Sequence, residues 1–361
     1  MLIRRLWLRD FRSYGELDLS FTDGTCVILG PNGVGKSNLL EAIGYAAQLD
    51  SFRSAPIDAM IRRGADSAVV RAQLDRNGRE ALVEAEINRS GRNRVLLNRQ
   101  RLARTSDLTD VVLVTAFAPT DLELIKGGPG LRRSLIDGLV VSMDSRNEPV
   151  KAGFERSLRQ RNALLKQVRG RLDTSASATL DVWDHQLADS GERLSVLRQG
   201  LIDDLTPLVT KAYRDIAGYE AEVVLHYASS WRERGLKESL VTSREDDLRR
   251  GVTLVGPHRD DVTISLGDMP ARTHASQGEQ RTLALALRVA GHRLLAGIHG
   301  SSPILLLDDV FSELDDNRAE ALLASLPDGQ RILTTATEPP STVHTNQLLM
   351  VAEGTITERT L

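Results

Sequence analysis

One octapeptide constrains this chain more than any other feature: Gly30-Pro31-Asn32-Gly33-Val34-Gly35-Lys36-Ser37. It fits the pattern G-x-x-x-x-G-K-[ST]. The apolar run Cys26-Val27-Ile28-Leu29 precedes it, and helical spacing follows in Leu39, Leu40, Ile43, Ala46 and Ala47. Strand, glycine-rich loop and helix is the context in which the pattern acquires physical meaning. The loop N–H groups turn inward around phosphate oxygens, and the helix N-terminus adds the positive end of its dipole. Lys36 is then expected on the β- and γ-phosphates and the Ser37 hydroxyl on Mg²⁺, which makes ATP with Mg²⁺ the expected cofactor.

Other stretches belong with this loop. Ile304-Leu305-Leu306-Leu307 runs into Asp308-Asp309. A buried strand that delivers a carboxylate beside a phosphate loop lets Asp308 hold Mg²⁺, directly or through water, and makes Asp309 the catalytic carboxylate that orients or polarises the attacking water. Alone, such a strand could equally end in an Asx turn; paired with Gly30–Ser37 it is a strong signal. Ala275-Ser276-Gln277-Gly278-Glu279-Gln280-Arg281 stands at a helix start. Ser276 with Glu279 fits a capping box. The same residues fit an anion site built from the Ser276 hydroxyl and the N–H groups around Gly278. The chain's own phosphate loop already has its partners, so that spare site would receive the γ-phosphate from a second subunit. Val310-Phe311-Ser312-Glu313-Leu314-Asp315 follows the paired acids directly.

The 361 residues suit two or three domains, or one large domain with an insertion, and 41% hydrophobic content can fill a core. The single cysteine, Cys26, excludes an intrachain disulfide, fits a reducing compartment and reads as core rather than nucleophile. No apolar run approaches a membrane span. Met1-Leu2-Ile3-Arg4-Arg5-Leu6-Trp7-Leu8 is short and interrupted by charge, hence a first strand rather than a signal peptide. A cytoplasmic protein with no membrane partner is expected. The net charge of −3 hides a strong asymmetry. Arg53 to Arg104 holds 12 Arg against 6 acids, Lys126 to Arg171 holds 11 basic residues against 4 acids, and Gly300 to Leu361 holds 3 Arg against 10 acids. An electropositive face on a near-neutral body suits a phosphate backbone; solvated Arg-rich helices and hairpins are the other reading of the same counts.

Strands are expected at Leu2–Leu8, Leu17–Phe21 and Cys26–Leu29, and as a meander at Ala68–Leu74, Ala81–Ile87 and Arg94–Leu97, with turns at Asn77-Gly78 and Ser90-Gly91. Val111–Val114 reads as a buried strand. After Pro119 the pattern becomes helical, with a break at Asn147-Glu148-Pro149, a stop at Gly170 and a polar linker over Thr174–Thr179. Leu180, Trp183, Leu187, Leu194, Leu197, Leu201, Leu205 and Leu208 mark a long amphipathic helix, too short in heptads for a long coiled coil. Strand character returns at Val252–Val255, Val262–Leu266, Ile304–Leu307, Arg331–Thr335 and a terminal hairpin across Glu353-Gly354, with helices from Gly278 and over Ala319–Leu326. Residues 225–250 have no clear place. The expected fold is α/β: a P-loop ATPase head of mixed sheet and helices, residues 1–120 with 251–361, and an inserted, mostly helical lobe with a basic face, residues 121–250.

In order along the chain, the phosphate loop, the S-x-G-x-Q stretch, the strand with paired acids and the S-x-L-D loop resemble the ABC-type, SMC-like ATPases of chromosome maintenance. Within these the chain resembles the RecF family. Phe11-Arg12-Ser13-Tyr14, Gly30–Leu40 with Glu41-Ala42-Ile43, Ser51-Phe52-Arg53, Asp121-Leu122 and Lys126-Gly127-Gly128-Pro129 carry the likeness. So do Gln160-Arg161-Asn162-Ala163-Leu164-Leu165, Trp183-Asp184, Gly256–Asp261, Ser276–Leu287 and Leu305–Asp315. The likeness runs from residue 1 to about 335, and the long coiled coils of SMC and RecN relatives are missing. The hook-bearing relatives need a C-x-x-C, which one cysteine cannot supply. The resemblance implies an ATP-dependent, head-to-tail homodimer that clamps DNA and hydrolyses ATP slowly, a weak DNA-stimulated ATPase. It implies action with RecO and RecR to place RecA at gapped DNA, and support of the SOS response. It puts Arg53 where SMC-like heads couple DNA to hydrolysis, a helix-end loop arginine being the plainer reading. It puts Arg12 near the nucleotide, a salt bridge in the first hairpin being the alternative. Departures from the wider cassette pattern are Asp309 in place of Glu, Thr335 or Thr337 in place of a His, and Phe117-Ala118-Pro119 without a following glutamine. They argue for slow hydrolysis and leave binding intact.

Two other functions compete. A transporter's nucleotide-binding subunit would need a shorter separation than Gly30 to Asp308 and an apolar docking surface, which is not recognisable. A DNA-processing enzyme would need a second acidic cluster, for which His258 with Asp260 and Asp261 is the one candidate. Whether single strands, duplex or gap junctions are bound is open from sequence.

Overall fold

The computed structural model of the chain describes all residues except 54, 169–171, 314–315, 327, 339–342, 353–354 and 361, and omits the side chains of 312, 313 and 316. The chain forms two compact units. One comprises Met1–Leu122, Leu208–Ala221 and Gln277–Leu361; the other comprises Glu123–Pro207 and Glu222–Ser276.

The first unit opens with β1 (Leu2–Phe11), β2 (Tyr14–Ser20), β3 (Thr25–Leu29), α1 (Lys36–Gln48) and the single turn α2 (Ile57–Met60). The meander β4 (Ser67–Arg76), β5 (Arg79–Asn88), β6 (Arg94–Leu97) and β7 (Gln100–Arg101) follows, then β8 (Val114–Phe117). The second unit holds α3 (Glu123–Lys126), α4 (Pro129–Met143), α5 (Glu148–Val168) and most of α6 (Thr174–Ala217). It continues with β9 (Val223–Ala228), α7 (Leu236–Arg250), β10 (Asp261–Leu266), β11 (Met269–Pro270) and α8 (Ala271–His274). The first unit resumes at α9 (Gln277–His299), β12 (Ile304–Asp308), α10 (Asp316–Ser325), β13 (Arg331–Thr335), β14 (Gln347–Ala352) and β15 (Thr355–Arg359).

Two six-stranded sheets build the first unit. The antiparallel sheet has the order β2-β1-β4-β5-β6-β7, and its Asn77-Gly78 turn takes φ of 54° and 79°, the left-handed pair that suits a tight hairpin. The other has the order β15-β14-β3-β13-β12-β8, parallel except for β15. Its strands β3 and β12 are buried along their whole length, as continuous apolar runs in a parallel sheet require. A single apolar core takes side chains from both sheets and from α1, which is why α1 is buried over most of its circumference. The second unit combines its helices with a three-stranded sheet, β11-β10-β9.

Several expectations change. Val111 and Val112 donate to the Leu108 carbonyl in a tight turn, so the strand starts at Val114. Thr174–Thr179 is helix, because Asp173 caps it through a bond from the Ala176 N–H, 2.7 Å. The break near 147–149 is a short 3₁₀ turn, with Pro149 in the first turn of α5, where its missing N–H is harmless. Val252–Val255 is not a strand: its Thr253 and Leu254 N–H groups are taken by the Asn162 and Asp247 side chains, 2.8 and 3.0 Å, instead of a neighbouring strand. Residues 225–250 contain most of β9 and all of α7. The compact units also part from a division at 120 and 250. β10 pairs with β9 in full register, which holds residues 261–266 with 223–228, and Arg293 of α9 bonds Asp215 at 3.0 Å, which holds the end of α6 with the first unit. Gly170 and the Glu353-Gly354 turn lie outside the described residues.

A candidate nucleotide-binding site

The parallel strands β3, β13, β12 and β8 end on one edge of their sheet, and the following loops converge there, the side on which parallel sheets place their ligands. Gly35 caps α1 with φ 110°, a left-handed conformation, and a Cβ there would stand 2.6 Å from the Ser13 hydroxyl. Only glycine satisfies both conditions. No side chain caps α1 and its first turn has no acid, so its N-terminal dipole faces outward without local competition. The Lys36 ammonium donates to the Gly30 and Pro31 carbonyls, 2.7 and 2.9 Å. Burial pulls its pKa below the ordinary lysine range, while Asp309 and Asp308 push it back up.

Ser37 Oγ donates to Asp308 Oδ1 at 2.7 Å, joining residues 271 positions apart. The same carboxylate oxygen accepts from Thr334 Oγ1 at 2.8 Å, and Thr334 Oγ1 accepts the Asp309 N–H at 3.0 Å. Asp309 takes φ 49°, rare for a residue with a side chain. A cleft of about 220 Å³ is lined by phosphate-loop residues, Asn38, Arg53 and Asp309. The hydroxyl of Ser37 and the carboxylate of Asp308 are hard oxygen donors of the kind Mg²⁺ takes, with phosphate oxygens and water completing its shell. Among the described residues no group of three or more His, Cys, Asp or Glu side chains could hold a metal by itself, so Ser37 and Asp308 are the residues that fit such an ion.

The other candidates fall as follows. Arg12 pairs bidentately with Glu41 of α1, at 2.7 Å through Nε and 2.7 Å through Nη2. Arg53 lies on the cleft wall, 3.4 Å from Asn38 Oδ1. Gly278 is in the first turn of α9, where a Cβ would meet the Arg318 guanidinium at 3.2 Å, and it does not line the cleft. Ser276 directly precedes α9. Thr335 donates to the Thr337 carbonyl at 2.7 Å, and its own carbonyl accepts from Gly30 N–H at 3.3 Å. Of the S-x-L-D loop, Leu314 and Asp315 lie outside the described residues. Thr334 and Glu41 went unassigned in the sequence. A charged residue inside Leu39-Leu40-Glu41-Ala42-Ile43 was the available signal, since a buried carboxylate needs a partner.

In the second unit the basic stretch from 126 to 171 is partly structural. Arg161 is fully buried and binds Asp184, Asp247 and Thr253 at 2.5, 2.7 and 2.9 Å. Arg132 forks onto Asp261, 2.8 Å on each arm. Asp260 accepts from Tyr227 and Trp231 at 2.5 and 2.9 Å, and His258 Nε2 bonds the Thr253 carbonyl at 2.9 Å. Burial drops the His258 pKa to about 4. The His258, Asp260 and Asp261 side chains are therefore spent on holding their loop, which gives no support to a second metal-dependent site there. In the first unit Arg92, Arg94, Arg99, Arg101 and Arg104 are all exposed around β6 and β7.

This sheet order, with its phosphate loop and paired acids, defines an ABC-type P-loop ATPase head of the SMC kind. The family model "RecF/RecN/SMC N terminal domain" matches residues 2–355. A protein of Kineococcus radiotolerans called DNA replication and repair protein RecF is 43% identical over 94% of this chain and 93% of its own. Its namesake in Streptomyces avermitilis is 40% identical over 93% of each. A solved structure described as the recombination mediator protein RecF with ATP, in the RecFOR pathway, superposes with a TM-score of 0.91 at 29% identity, covering 99% of this chain and 97% of that one. The chain belongs to the RecF family.

Proposed function

We propose that this chain is an ATP-dependent DNA-binding protein of recombinational repair and replication-fork maintenance. The observation that carries the reading is the Ser37–Asp308 contact beside Lys36, which joins two distant segments and supports their holding phosphate and a metal ion together. The loop N–H groups and Lys36 bind the phosphates of ATP, Lys36 exchanging the Gly30 and Pro31 carbonyls for phosphate oxygens. Ser37 and Asp308 would hold Mg²⁺, which would supply charge neutralisation at the phosphates. Asp309, held by Thr334, orients water for hydrolysis. Turnover is weak and DNA-stimulated, with Arg53 linking the two.

ATP binding drives head-to-tail dimerisation, with Ser276 and Gly278 of one copy sealing the γ-phosphate of the other. The cassette lobe carries the nucleotide and the helical lobe shares in clamping DNA, which slow hydrolysis releases. Exposed arginines of the β6–β7 region supply phosphate contacts without base reading, compatible with single-stranded, duplex or gapped DNA. RecO and RecR are the proposed partners, RecA loading at gaps and support of the SOS response the outcome. The RecFOR description of the solved relative supports this assignment.

The test is Lys36→Ala followed by calorimetry with ATP and by DNA binding. Both are expected to be lost together, because Lys36 is the loop's cation for phosphate. Wild-type ATP affinity in the variant would overturn the assignment.

A further inference from the structure

Glu41 is the one acid of α1 and is fully buried. A carboxylate removed from water must be paired or neutralised. Arg12 meets it with two hydrogen bonds of 2.7 Å, one to each oxygen. The Ser51 hydroxyl donates to Oε1. Arg53 Nη1 stands 3.8 Å from Oε2. Ser51 Oγ also accepts the Arg53 N–H at 3.2 Å. Glu41 therefore reaches Arg53 by two routes, through the backbone by way of Ser51 and through space by charge.

The two arginines are not equivalent. Arg12 makes the fork-on-carboxylate pair, the strongest geometry available to it, and its side chain is 17% exposed. Arg53 is 39% exposed, beyond hydrogen-bond distance of Glu41, and lines the cleft with Lys36, Ser37 and Asp309, which Arg12 does not. Arg12 thus cancels the charge of Glu41, and Arg53 brings its positive charge to the cleft wall.

We propose that Glu41 is a positioning residue that fixes Arg53 where a nucleotide phosphate meets its guanidinium, with Arg12 as the counter-charge of Glu41 and not as a phosphate ligand. The proposal rests on the nucleotide reading above and adds what orients the cleft arginine.

The test is a double-mutant cycle on the full chain with Glu41→Gln and Arg53→Gln, read as kcat, KM and ATP affinity, with melting curves alongside. Glu41→Gln is expected to lower kcat about five- to tenfold while KM and ATP affinity stay within about twofold, the pattern of an interaction used in the reaction rather than in uniform binding. Arg53→Gln is expected to do the same, and the double variant to be no worse than Arg53→Gln, since residues acting through one contact are non-additive. Should Glu41→Gln not fold, the cycle is run with Glu41→Gln and Arg12→Gln together, which leaves no buried unpaired charge. Multiplying losses, or a lowered melting temperature with unchanged kcat, would reduce Glu41 to a structural ion pair and overturn the proposal. Absence of ATP binding by the wild-type chain would remove the nucleotide reading itself, and this proposal with it.

Discussion

Replacing Thr334 by valine removes one hydroxyl and keeps the shape of a fully buried side chain. That hydroxyl donates to Asp308 at 2.8 Å and accepts the Asp309 N–H at 3.0 Å. Losing a hydrogen bond to an ionised carboxylate costs about 1.5–3 kcal/mol, and taking the acceptor from the Asp309 N–H costs about 1–3 kcal/mol. The added methyl returns about 1 kcal/mol. The expected net loss is about 3 kcal/mol of folding stability. Thr334→Ser keeps the hydroxyl and gives up one buried methyl, about 1 kcal/mol. Urea denaturation of the three proteins at neutral pH measures the difference. Hydrolysis should follow the same order, because the hydroxyl also supports the left-handed backbone of Asp309 and with it the direction of its carboxylate. If Thr334→Val is as stable as Thr334→Ser, or hydrolyses ATP as fast, the hydroxyl does not organise the paired acids.

On the proposed roles, Asp309→Asn should still bind ATP but accumulate dimer, since Asp308 would keep the metal while water activation would be lost; wild-type turnover would remove Asp309 from that role. Ser276→Arg should leave a folded monomer that binds ATP but neither dimerises nor hydrolyses it, by light scattering with a non-hydrolysable analogue. A pure helix cap predicts instead a stability loss of about 0.5–2 kcal/mol with assembly intact. DNA affinity should fall with salt at a log–log slope of about 0.7–0.9 per phosphate neutralised and vary little with base sequence; a flat salt response would discount the exposed arginines. His292 is held neutral by burial, its pKa near 4 against an ordinary 6.5. The unfolded chain takes up the proton first on acidification, so stability falls as pH drops through that window, by about 2 kcal/mol from pH 7 to pH 5 for this group. His292→Gln should lose about that much less over the same interval, and equal losses in both proteins would contradict the assignment.

Local chemistry fixed much of this molecule in advance. The phosphate loop is legible because its glycines, lysine and serine act through backbone conformation and residue type, both written in a contiguous stretch. The same holds for β3 and β12, whose apolar runs lead directly into the phosphate loop and the paired acids, and for the alternating β4 and β5. Boundaries that depend on distant partners were not legible. Val252–Val255 has strand composition, yet Asn162 and Asp247 take its Thr253 and Leu254 N–H groups. Charge counts could not separate Arg161, buried against Asp184 and Asp247, from Arg99, exposed on the surface. Glu41 belongs to a stretch that carries the family likeness and Thr334 to an apolar strand, but neither position announces a role. Their roles arise only when α1, the Ser51–Arg53 loop, β12 and β13 are brought together, because a buried carboxylate or hydroxyl gets its meaning from the partner across the fold, and that partner's identity is set by packing rather than by spacing along the chain.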